Sequence, residues 1–357
     1  VRAEQEDPEV TVDFGQVKPP HPGGSAPAPH PLLGTFGPLI RLLEACALPG
    51  HDVLERPRLV VFAGDHGVES LGVSAHPVTE TARRAADLAV GNGPISSIAA
   101  GAQVGIRVVD IAVDADLTGT AVDTSVKVCR SSGRIDIQDA LSHDELDAAL
   151  LAGKQIADAE IDAGADLLIG TLCGVASSTA TAVVVAGLTG MEPIEATSRG
   201  SGICDSAWIR KVAAVRDSLY RTRLSGTDAH TLLRLAGGAD LTALTGFIAQ
   251  AAVRGVLVMI DDVPSTAAAL LANRIAPGAE AYVVATSLSP ERSHRRLLDL
   301  LGRDPLTAWS LRLGDGAGAL LLVPTVRAVA RSAAESDADG GGARNSDAIQ
   351  SWDPALF

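Results

Sequence analysis

Short apolar runs rich in Val, Ile and Leu alternate along the chain with Ala-rich stretches whose apolar positions recur every three to four residues. The runs fall at 58–65, 104–114, 165–171, 255–262, 279–287 and 318–324. Near-continuous apolar segments of this length read as strands buried on both faces, because a strand with one wet face would alternate. The stretches 81–90, 144–164, 178–190, 206–219 and 265–275 carry helical periodicity, and 37–46 adds a helix ahead of the first strand. Strands alternating with helices predict a mainly parallel sheet covered by helices on both faces, a Rossmann-like three-layer α/β architecture. Residues 1–33, rich in Pro and acidic groups, predict an extended or mobile segment. Residues 34–331 form the α/β domain, and 332–357 read as a disordered tail.

Composition narrows the core and the partners. Of the 357 residues 46% are hydrophobic but only 3% aromatic, so the interior is built from Ala, Val, Leu and Ile. A net charge of -14 argues against nucleic acid or an anionic membrane as a partner, while backbone N–H groups can still hold a small anion locally. Cys46, Cys129, Cys173 and Cys204 show neither CxxC spacing nor a Cys/His cluster. They read as reduced thiols of a cytoplasmic protein with no structural metal. No apolar run is as long as a membrane span.

The predicted strands end in polar or glycine-rich motifs, where an open α/β sheet binds its ligands. After the first strand comes AGDHGVESLGVSAHP (63–77). In it Asp65 either orients His66 or caps a turn, and His66 either meets a ligand or packs in a tight turn. IGTLCGVASSTATA (169–182) places Gly174, Ser177, Ser178 and Thr179 between a strand and a helix, as a phosphate cradle or an ordinary capped turn. SRGSGICDSAWIRK (198–211) sets Arg199 beside Gly200 and Gly202, to bind an anion or form a surface ion pair; Lys211 reads as a solvated helix lysine. Gly237-Gly238 precedes a helix, and Asp261-Asp262 ends a strand, with Asp262 favoured as a helix cap. His294, in ATSLSPERSHRRL (285–297), is either catalytic or packed. LRLGDGAGALLLVP (311–324) fixes Asp315 in a Gly-flanked turn.

Taken in order, these motifs resemble the nicotinate-nucleotide:dimethylbenzimidazole phosphoribosyltransferases over roughly residues 34–330. That family carries AGDHGV…GVSAYP, G-E/D-M-G-I-G-N-T-T, R-G-T-G-I-D-D and L-R-L-G-E-G-x-G-A at the matching places. The resemblance implies a homodimer, with a smaller helical subdomain built from the terminal segments, and no cofactor or metal. It implies that Asp315, at the family's glutamate, is the general base. Asp65, His66, Ser74, His76 and Arg83 would line the pocket for the base, Arg83 standing where the family has a base-contacting glutamine. Gly174, Ser177, Ser178, Thr179, Arg199, Gly200, Gly202, Gly237, Gly238 and Asp261 would hold the phosphoribosyl group.

The reaction so implied moves the phosphoribosyl group of nicotinate mononucleotide to 5,6-dimethylbenzimidazole or a related base, giving an α-ribotide for the lower ligand of cobamides. Three departures stand out: Leu172 at the family's acidic residue, Arg83 for glutamine, and Asp315 one methylene shorter than glutamate. They keep two further expectations open: a paralogue acting on another base or donor, and an inactive homologue that binds a ligand or serves structurally.

Overall fold

The computed structural model describes residues 12–20, 33–46, 54–200, 202–223 and 225–338. Five of the six predicted strands form: β1 (Pro57–Gly64), β2 (Gly105–Ala112), β3 (Leu167–Cys173), β4 (Leu257–Ile260) and β5 (Val283–Ala285). All pair in parallel, in the order β2-β1-β3-β4-β5. The chain leaves β1 toward β2 and returns to the other side of β1 at β3. This reversal opens a crevice at the carboxyl ends of β1 and β3, the place where such sheets bind ligands.

Side chains alternate across the sheet, so each strand serves two helical layers. On one face Phe62 meets Phe247 edge to face at 5.4 Å, and Leu244 and Phe247 crowd Gly170; both belong to α9 (Gly238–Val253). On the other, Leu59, Ile169 and Thr171 face the turn at Gly316, ahead of the helix Ala317–Ala338. Also on this face is α2 (Thr79–Ala89), with α3 (Pro94–Ala102) beside it; α1 (Phe36–Cys46) lies against Ala317–Ala338.

The sixth predicted strand, 318–324, is helical and opens Ala317–Ala338, here α12. GALLLVP is dominated by Ala and Leu, strong helix formers, and its burial reflects packing on the sheet, not membership of it. Leu320, Leu322 and Val323 are buried and Leu321 is exposed. The same helix carries the chain through Ala338, into the span expected to be a disordered tail. At the other end, residues 12–20 are extended and docked: Phe14 and Val17 are buried, and the Tyr282 hydroxyl donates to the Lys18 carbonyl at 2.7 Å. The remainder of both terminal segments lies outside the described residues.

Helix α4 (His143–Asp162) starts at a capping box, Ser142 with Glu145, and packs along α9 unusually closely. A Cβ on Gly153 would lie 1.9 Å from the Ala243 carbonyl oxygen, and one on Gly246 2.4 Å from that of Leu150. Residues 229–253 are also long and apolar enough to cross a bilayer, which run length alone did not suggest. The apolar window is 94% buried inside the fold, as befits a core helix. Replacement Gly153→Val should push α4 off α9 and cost about 2–4 kcal/mol, measured as a lowered urea midpoint with the same slope.

Candidate active site

The crevice is organised by a carboxylate. Asp65, just past β1 and 1% exposed, accepts the Thr81 hydroxyl at 2.5 Å and the Asp114 N–H at 2.9 Å. Thr81 Oγ1 in turn accepts the Val175 N–H at 2.9 Å. One residue therefore ties the end of β1 to α2, to the segment after β2 and to the loop after β3. Burial raises the Asp65 pKa, opposed by the Thr81 and Asp114 hydrogen bonds and by His66, while Asp240 adds to the rise.

His66 turns the other way, into the α9 layer. It is 2% exposed, and its Nε2 lies 3.1 Å from Asp240 Oδ2. Burial pushes the imidazole pKa down; the charge and hydrogen bond of Asp240, with help from Asp65, outweigh it and leave the pKa raised. Gly238 belongs to this cluster, while Gly237 packs against Leu233 and Leu241. Gly238, at φ +79°, has room for no Cβ beside the His66 ring, and the Ala239 N–H is already held by Ser132 Oγ at 3.0 Å.

The loop after β3 presents the first ligand wall. Gly174 is obligatory, since a Cβ there would sit 2.0 Å from the Gly64 carbonyl oxygen. Ala176 then takes φ +65°, a left-handed conformation costly for alanine, at the head of α5 (Ser177–Thr189). Ser177 and Thr179 are buried, and Ser178 Oγ accepts Lys211 Nζ at 2.8 Å. Lys211 is thus not the solvated lysine expected. It is 1% exposed on α7 (Asp205–Thr222), and burial pulls its pKa down to about 8 against the pull of Glu291. Gly200, at φ +48°, closes over both: a Cβ there would lie 2.8 Å from Ser178 Oγ and 3.1 Å from Lys211 Nζ. A buried cation, a hydroxyl and a glycine backbone converge here, as a phosphate requires.

Arg199 is spent on its own loop. It donates to the Ile203 carbonyl at 2.9 Å, pairs with Asp205 at 2.5 Å, and lies 5.7 Å from the Trp208 ring. Gly202, at φ +86°, lets that loop turn. Arg210, next to Lys211, reaches the opposite way and clasps the Gly72 carbonyl at 2.8 Å, so α7 braces both sides of the crevice. Ser74 and His76 lie on the loop after Gly72: Ser74 Oγ accepts the His76 N–H at 3.1 Å, and His76 is exposed.

The second wall is acidic. Asp315 occupies φ +53° between Gly314 and Gly316, all three left-handed, which lifts its carboxylate over the crevice. Its partner is Arg84. Arg83, the residue expected to meet the base, is 62% exposed and paired with Glu80 and Asp87. The reason is helical geometry: two residues beyond buried Thr81 is about 200° around α2, while three residues beyond returns to the same side. Asp261 accepts the Gly318 N–H at 2.7 Å and also the Ala319 N–H, so it caps α12 and anchors the Asp315 turn. Asp262 caps α10 (Val263–Ile275), as its position suggested. Burial and mutual repulsion raise the pKa of Asp261, and burial that of Asp262. Leu172 pairs with Phe62 in register and supplies no polar atom. His294 bonds Thr266 and Ser289, each at 3.0 Å, and burial lowers its pKa to about 4; it is a packed neutral histidine.

A crevice at the sheet's switch point, with a buried lysine on one wall and a half-buried carboxylate on the other, suits transfer of an anionic sugar phosphate. A family model described as Phosphoribosyltransferase matches residues 26–339. The chain is 46% identical over 328 residues to the nicotinate-nucleotide–dimethylbenzimidazole phosphoribosyltransferase of Mycobacterium avium, covering 89% of this chain and 93% of that one. It is 49% identical over 274 residues to the enzyme of the same name from Mycobacterium tuberculosis, covering 77% and 76%. A solved structure of that enzyme from Thermus thermophilus superimposes with TM-score 0.77 at 32% identity, over 84% of this chain and 89% of that one. The chain belongs to the nicotinate-nucleotide:dimethylbenzimidazole phosphoribosyltransferase family.

Replacing Thr81 by Val leaves Asp65 short of a donor and the Val175 N–H without a partner. The expected cost is about 2–4 kcal/mol of stability, with a raised KM for the donor, read by denaturant melts and initial rates.

Proposed function

We propose that this protein transfers the phosphoribosyl group of nicotinate mononucleotide to 5,6-dimethylbenzimidazole or a closely related base, giving an α-ribotide for cobamide lower-ligand synthesis. The observation that carries the reading is the pairing of opposite walls: Lys211, Ser178 and Gly200 toward the phosphate, Asp315 toward the acceptor.

The chemistry balances with these groups. A ring nitrogen of the acceptor attacks C1 of the ribose from the face opposite the nicotinate, which inverts the anomeric centre. The C1–N bond to nicotinate breaks, and its electron pair neutralises the pyridinium nitrogen. The acceptor's N–H proton passes to the Asp315 carboxylate. The protein's part is to hold phosphate and acceptor in line and to accept that proton. Arg83 gives no reason to expect a different acceptor, since it points to solvent.

The same reading takes the protein as a cytoplasmic enzyme without nucleic-acid or membrane partners. It also takes it as a homodimer. Ile209 and Tyr220, both strongly exposed, are eleven residues apart on one face of α7 with exposed Arg216 between them, and offer a mixed apolar and cationic face for self-association. Sedimentation at several concentrations tests the dimer.

The direct test is product detection by mass spectrometry from nicotinate mononucleotide and 5,6-dimethylbenzimidazole. An α-ribotide signal that falls by about 10²–10⁴ in Asp315→Ala is expected. Folded protein that yields none would sink the assignment. The lysine makes a second forecast. Because the Lys211 pKa lies at about 8 before the anionic donor arrives, donor binding above that pH requires proton uptake. The KM for nicotinate mononucleotide should rise as pH climbs through about 8, up to about tenfold per unit. Lys211→Met should show a high KM without that pH dependence.

A further inference from the structure

We infer that Arg84 is a positioning residue for this reaction, holding Asp315 as a carboxylate and fixing its direction at the acceptor end of the crevice. The inference rests on the transfer activity proposed above. Asp315 has acidic company: Asp261 and Asp262 face the same region from the end of β4, and Cys173 faces it from the end of β3. Burial and Asp262 both favour the protonated acid, which cannot take a proton from the acceptor. Arg84 opposes both by charge and by hydrogen bond without cancelling them, so the Asp315 pKa stays raised but by less than burial would dictate, and among the described residues Arg84 is the cation paired with Asp315. Arg312, on the same loop, acts on Glu291.

Direction is the second part. Asp315 sits in a glycine-flanked, left-handed turn whose backbone is anchored through Asp261, while its side chain takes its direction from Arg84. Arg84 projects from α2 one turn beyond Thr81, whose hydroxyl is locked into the Asp65 and Val175 network. The ion pair therefore ties the Asp315 side chain to a helix that is itself fixed by the Asp65 network. The side chains are 35% and 14% exposed, so the pair lies at the crevice and not on open surface.

The test uses the full chain and its variants Arg84→Met and Arg84→Lys, with the nucleotide donor saturating so that titration of Lys211 does not enter. The acid limb of kcat should move up by about one pH unit or more in Arg84→Met, giving about a tenfold loss on the acid side and little loss on the alkaline plateau. Arg84→Lys should restore most of the limb. A Met variant as fast as the parent, or faster, with an unmoved acid limb would overturn the inference. A readout independent of turnover is the carboxyl ¹³C titration of aspartate-labelled protein, with the Asp315 resonance assigned by its loss in Asp315→Asn. Its midpoint should rise in Arg84→Met, and an unchanged midpoint counts against Arg84. If the parent makes no ribotide the functional assignment fails, yet this titration still decides the role of Arg84.

Discussion

Everything at the crevice hangs from the buried Asp65 carboxylate. It sits where the sheet reverses direction, and each hydrogen bond it accepts fixes a different segment. Thr81 brings α2 and, through its own oxygen, the loop after β3; Asp114 brings the chain leaving β2. A carboxylate removed from water is costly, and only several donors aimed at it offset that cost. The same need for donors makes the joint specific. No apolar substitute could hold three chain segments at hydrogen-bond distance from one point.

From that joint the crevice acquires two poles. Lys211 and Arg210 leave α7 in opposite directions, one toward the phosphate wall and one toward the loop at Gly72. Asp315 and the carboxylates ending β4 form the other pole, with Arg84 between them and α2. The chain carries a net charge of -14, with 29 Lys and Arg against 43 Asp and Glu, so the cations set among the crevice's carboxylates matter. One buried lysine on one wall and one arginine on the other are the cations set among these carboxylates.

Much of the fold was legible because buried parallel strands write themselves as continuous apolar runs, and Ala-rich helices keep their period. The exception, 318–324, shows the limit: a short apolar run bounded by glycine has the same pattern whether it is a strand or the start of a buried helix. The motifs fall at strand ends that the fold brings together at the crevice, but they do not give the aim of each side chain. Arg83 and Arg84 are neighbours in sequence and differ by about 100° on α2, which motif alignment cannot resolve. Lys211 carried no signal of burial, because only the packing of α7 on the β3 loop makes it an interior residue. Gly238 and His66 satisfy motif expectations while packing against one another, and Gly237 packs against Leu233 and Leu241. Their pattern marks close packing as readily as a ligand.

The scarcity of aromatic residues has an optical consequence. The chain has three tryptophans, and two lie in the described structure: Trp208 beneath Arg199, and exposed Trp309 on the segment that leads into Asp315. The core, assembled from Ala, Val, Leu and Ile, contributes almost nothing to emission. Two of the protein's fluorophores thus sit beside the Arg199 loop and ahead of the Asp315 turn, and their emission will report the state of those segments against a nearly dark core.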